Sequence, residues 1–148
     1  MAYELNAQDS LKLQADLDEF VRLSDSYSAL LCDKGGAVLV SSGSEEEDDL
    51  LAALTAGSFA ATRELARTVG EDDFEAVFHQ GVDRNIYISG ICEEVLLLVV
   101  FEQSSSQMGL VRMYARNVSR KIRATIEDVE SRESIVAEDP TLSFVLKR

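Results

Sequence analysis

One histidine, one proline and two cysteines among 148 residues leave little of the chemistry by which many enzymes are recognised. A lone His79 cannot build a multi-histidine metal site within one protomer. Cys32 and Cys92 make neither a disulfide framework nor a zinc site. With one proline and eight glycines the chain is neither collagenous nor of low complexity. The longest apolar run, Val95 to Phe101, is far too short for a membrane span, and no early apolar stretch resembles a signal peptide. Positive charge is scarce: 14 Lys and Arg against 27 Asp and Glu leave a net charge of −13. Such a surface repels phosphates and anionic lipid, so neither nucleic acid nor membrane is expected as a partner. Phosphate-loop, dinucleotide, C-x-x-C, H-E-x-x-H and G-x-S-x-G signatures are all absent, and no lysine follows a glycine. No catalytic, cofactor-binding or metal site is expected, and no small-molecule substrate.

What is present, 46% apolar and 28% charged residues, is the balance of one globular domain of cytoplasmic type. Leu13, Leu17, Phe20 and Val21 are spaced for an amphipathic helix over 9–23, capped by Asp9 or Ser10. Strands are predicted at 27–32 and 37–41, joined by a tight hairpin through Asp33-Lys34-Gly35-Gly36. Ser44 with Glu47 reads as a capping box opening a helix over 46–69, which Gly70 stops. Three more strands are expected at 74–79, 84–89 and 95–101, the last apolar throughout, as befits a central strand covered on both faces. Ser104 with Gln107 suits the start of a last helix over 108–130. The order α-β-β-α-β-β-β-α, with hairpin links, makes an α+β protein: a three-layer α/β/α sandwich around a five-stranded, mainly antiparallel sheet. The domain is expected over 1–130, with a short tail over 131–148 in which Asp139-Pro140 could start another helix.

The second helix is apolar on two sides. At 100° per residue, Leu50, Leu54, Ser58, Ala61 and Leu65 form one stripe, read as the side that meets the sheet. Ala52, Ala56, Phe59, Ala60, Arg63 and Arg67 gather opposite, with Ala53 and Gly57 at the border. Small apolar residues on an outward face admit another backbone closely, and an exposed apolar strip marks an interaction surface. The expected partner or dimer interface is therefore Ala53, Ala56, Gly57, Phe59, Ala60, Arg63 and Arg67. In the last helix Val111, Val118, Ile122, Thr125 and Val129 should point inward and Arg112, Arg116, Arg120 and Arg123 outward. His79 reads as a partly buried turn residue, Cys32 as a small core residue. Cys92 sits beside Glu93 and Glu94, whose charge disfavours a thiolate.

The run Leu54-Thr55-Ala56-Gly57, Ala60-Ala61, Leu65-Ala66, Gly70-Glu71, followed by Phe74, Phe78-His79-Gln80-Gly81 and Tyr87, resembles the roadblock/LC7 family. So do Asp33-Lys34-Gly35-Gly36 and Gly109-Leu110-Val111-Arg112. The likeness spans about residues 10–130 and leans toward the bacterial, MglB-type regulators of a Ras-like polarity GTPase. It implies a profilin-like sheet with the second helix on one face and the first and third on the other. It also implies a homodimer with the second helices side by side and the sheets joined at the third strand. Such a dimer would be a platform for a small Ras-like GTPase, promoting GTP hydrolysis without a catalytic group of its own. A roadblock-type scaffold or adaptor without effect on nucleotide turnover is the alternative.

Overall fold

The computed structural model of the chain describes residues 3–43, 46–102 and 105–138. Helix α1 spans Ala7–Ser24 and starts two residues earlier than its apolar spacing indicates. Asn6, not Asp9 or Ser10, is the cap: its side chain accepts from the Asp9 N–H at 2.8 Å, while Asp9 Oδ2 accepts from the Asn6 N–H at 3.0 Å. This reciprocal pair is a capping box with Asp in the return position. Strands β1, Ser28–Asp33, and β2, Val38–Ser42, form the expected hairpin. Within it Asp33 Oδ1 accepts from the Ala37 N–H at 2.9 Å, and Gly36 has φ of 90°. A side chain at Gly36 would also meet the backbone of Ala53 at 3.0 Å, so this glycine lets the hairpin tip touch the next helix.

That helix, α2, spans Asp48–Thr68. Ser44, the first residue of the capping box expected at its start, lies outside the described residues. Glu47 is the cap, in the left-handed region at φ 63°, and makes no side-chain capping bond. Asp48 and Asp49 still place negative charge at the positive end of the helix dipole. Gly70, at φ 90°, follows the C-cap Val69 as expected.

Strands β3 (Ala76–Gln80), β4 (Arg84–Cys92) and β5 (Val95–Glu102) complete one antiparallel sheet in the order β2-β1-β5-β4-β3. β3 starts two residues later than predicted because Phe74 turns away to pack on Phe59, their ring centroids 5.0 Å apart. His79 is exposed on this edge strand, paired with Ile86, and is not a buried turn residue. β5 lies between β1 and β4, and its alternate residues serve opposite faces. Leu97, Val99 and Phe101 join Leu13, Leu17 and Phe20 of α1 in the larger cluster, whereas Leu96 and Leu98 join Leu30, Cys32 and Ile88 under α2.

The last helix, α3, runs Ser105–Glu138. Val111, Val118, Ile122, Thr125 and Val129 are all buried, as their spacing foretells. Ser104, expected to cap its start with Gln107, lies outside the described residues; the side-chain amide of Gln107 donates to the carbonyl of Asp25. The helix passes residue 130 unbroken, since neither proline nor glycine interrupts it between Leu110 and Glu138. Residues beyond that point have partners near the start of the chain. Tyr3 donates its hydroxyl to Glu130 Oε1 at 2.9 Å, the Glu4 N–H donates to Glu133 Oε1 at 3.0 Å, and Arg132 pairs with the buried carboxylate of Asp9. Asp139 and Pro140, where a further helix was expected to start, lie outside the described residues.

Candidate functional site on the outer face of the second helix

The orientation of α2 reverses the one predicted. Ala52, Thr55 and Phe59 are the buried side, with Leu51 and Ala56 partly buried against the same sheet residues. Phe59 is only 5% exposed and fills the space over Gly90, where a Cβ would stand 3.3 Å from its ring. Ala56 and Phe59 therefore belong to the core layer and not to an outward interface. Space explains the choice. The strands already present Leu30, Ile88, Leu96 and Leu98, and Gly36 brings the hairpin onto Ala53, so the helix meets the sheet through small side chains and one ring.

The leucines consequently face outward. Leu50, Leu54 and Leu65 are 53%, 61% and 64% exposed, and Gly57 and Ala61 continue the same stripe between them. Ala53 and Ala60 flank it and are exposed as well. Sequence periodicity missed this because both stripes are apolar. The available signal was Phe59, since a large ring is more often enclosed than exposed when a helix offers the choice.

Of the two arginines expected at the interface, Arg63 is half-buried and pairs with Asp73 at 3.7 Å. Arg67 is exposed and pairs with Glu64 one turn back. Both thus have carboxylate partners within the chain. β3 is an edge strand with one neighbour; Phe78 on it is partly exposed and stacks at 6.2 Å on Phe101, on the sheet face opposite α2. The cysteines are far from reactive. Burial pushes the Cys32 thiol up to about 12 and is also the main cause of the raised pKa of Cys92, ahead of any nearby acid. No cluster of three or more His, Cys, Asp or Glu side chains that could hold a metal occurs among the described residues. None of the described helices is long and apolar enough to cross a membrane.

The profile of the Roadblock/LC7 domain matches residues 12–101, more than half of the sequence. The chain belongs to the roadblock/LC7 family. Solved structures of the family agree with the fold. Myxococcus xanthus MglB is 28% identical with a TM-score of 0.76, covering 85% of this chain and 96% of its own. The gliding protein mglB of Thermus thermophilus is 29% identical at 0.78, covering 86% and 97%. An MglB described with a tetrameric arrangement is 27% identical at 0.80, covering 86% and 97%. No curated protein matches by sequence alone. The three-layer α+β arrangement read from the sequence is thus a roadblock fold, and its likeness runs to MglB proteins.

Proposed function

We propose that this roadblock/LC7 protein is a non-enzymatic, cytoplasmic regulator of a small Ras-like GTPase, acting as a homodimer. The observation that carries the reading is the outward leucine stripe of α2 in a chain whose fold resembles MglB. Leu50, Leu54 and Leu65, half to two-thirds exposed, each forgo part of the about 1.5–3 kcal/mol that full burial of a leucine side chain contributes. A two-fold axis beside Gly57 would bury all of them against their own copies, because an isologous contact lets one stripe serve both partners. Gly57, Ala53 and Ala60 are small enough for the helices to approach closely, and the free edge of β3 can extend the sheet across the same axis. The interface expected from sequence keeps Ala53, Gly57 and Ala60, gains Leu50, Leu54, Ala61 and Leu65, and loses Ala56 and Phe59.

The paired helices then offer a wide, shallow platform suited to a protein surface. Arg63 and Arg67 flank it, each with a carboxylate neighbour within the chain. Stimulation of hydrolysis needs no catalytic group here: binding the hydrolysis-competent state of the GTPase more tightly than other states raises its population. The decisive experiment is GTP turnover by the cognate small GTPase with and without this protein. A stoichiometric rise in turnover is the expected result. Binding without any change in turnover would make the protein a scaffold and overturn the activating role.

A further inference from the structure

Arg116, Arg120 and Arg123 stand at i, i+4 and i+7 of α3, which stacks them on one side of the helix. All three line a recess of about 190 Å³ between α3 and β4 that is also lined by Tyr87, Ser89 and the rim residue Glu75. Arg123 is held in place, its Nε donating to the carbonyl of Ile91 at 2.8 Å, which leaves its terminal nitrogens as donors. Arg116 and Arg120 enter no ion pair among the described residues, and Glu75 makes none with them. In a chain of net charge −13 this is a local surplus of cations.

Ser89 supplies a second, independent observation. It is 6% exposed, and its Oγ has no hydrogen-bond partner although it is buried. Its neighbour on the same face of β4 is Tyr87, whose hydroxyl pKa is raised, first by burial. Native proteins rarely leave a buried hydroxyl unsatisfied, and such a group beside a recess marks a place for a ligand atom. Guanidinium groups donate and never accept, so what the recess lacks is an acceptor carrying negative charge. A tetrahedral oxyanion brings several acceptor oxygens at once and can take bidentate bonds from more than one arginine.

We propose that the recess between α3 and β4 binds a phosphomonoester group, held by Arg116, Arg120 and Arg123 with the Ser89 hydroxyl reaching it from the strand. This site lies on the sheet face opposite α2 and does not depend on the GTPase reading. The test is a titration of the isotope-labelled full chain, followed by amide NMR, with inorganic phosphate and in parallel with a phosphoserine peptide, sodium chloride matching ionic strength. Saturable shifts at Ser89, Gly90, Arg116 and Arg120 are expected. They should weaken about tenfold or more in Arg116→Gln/Arg120→Gln, as charge-assisted bonds are lost. Glu75→Gln, which removes the carboxylate at the rim, should strengthen binding. Tighter binding of the peptide assigns the phosphate to a modified protein side chain; equal binding assigns it to a small phosphorylated molecule. Shifts that chloride reproduces, that fail to saturate, or that persist in the double arginine variant overturn the proposal. Should that variant not fold, Ser89→Ala and Glu75→Gln decide: unchanged affinity in both overturns it equally.

Discussion

On the α1/α3 side of the sheet, Leu13, Leu17, Val111, Ile122 and Ile126 are wholly enclosed, and the helices that supply them turn chiefly charged residues outward. On the α2 side, a thin layer of Ala52, Thr55 and Phe59 meets the strands while the bulky leucines of the same helix face solvent. α1 and α3 each have one apolar stripe, and burial in the monomer uses it. α2 has two such stripes, and the monomer uses only the one with smaller side chains. The second stripe of α2 is thus left exposed in the single chain, and it is the surface that the proposed homodimer would cover.

That contrast can be broken most severely by charge on the outer stripe. Leu54→Arg together with Leu65→Arg should halve the mass seen by light scattering at micromolar concentration, because unpaired charges buried at an interface cost on the order of 3–5 kcal/mol. The thermal melt of the same variant should still be cooperative, since neither leucine packs on the sheet. A dimer that persists would show that the outer stripe is not the contact. The core stripe answers differently. Phe59→Ala should cost about 3–5 kcal/mol in urea unfolding, whereas an outward Phe59 would cost far less. Gly36→Ala is expected to lose about 1–3 kcal/mol, through positive φ and its approach to the Ala53 backbone, which would tilt α2 off the hairpin.

A pH dependence also arises on the α2 side. Cys32, with an ordinary thiol value of 9.0, is pushed up to about 12 by burial, so the folded state holds its proton longer than the unfolded one. Its contribution is therefore complete below pH 9 and is lost as pH rises from 9 toward 12, by at most about 1.4 kcal/mol per pH unit. Unfolding free energy measured across this range should fall less steeply in Cys32→Ala than in the parent chain. The buried hydroxyls of Tyr3 and Tyr87 are also raised, first by burial, and add a slope of the same sign at higher pH.

Most of the fold was legible because each element carries a period that only one structure satisfies. The continuous apolarity of Val95 to Phe101 means burial on two faces, and alternation then sends Leu96 and Leu97 to opposite clusters. Val111, Val118 and Ile122 likewise declare one inward stripe. For α2 the same arithmetic returns two stripes on opposite sides and cannot rank them. The ranking depends on the volume left above Leu96 and Leu98, a property of the assembled sheet. Capping was harder to read for a related reason. Asn6, Ser44 and Ser104 are all acceptable caps by residue type, and where the helix begins depends on what the preceding backbone must reach. The end of α3 was misjudged because the partners of Glu130, Arg132 and Glu133 come from residues 3 to 9, a pairing invisible to any local window.

The join between Asp9 and Arg132 spans 123 positions, and that distance is also an interval of time. A ribosome adding roughly 5–20 residues per second makes Arg132 on the order of ten seconds after Asp9. Throughout that interval Leu13, Leu17 and Phe20 lack the helix that completes their cluster in the folded chain. The nascent chain thus carries a greasy amphipathic segment that nothing yet made can fully shelter. The last partners of α1 to be synthesised are therefore those on α3.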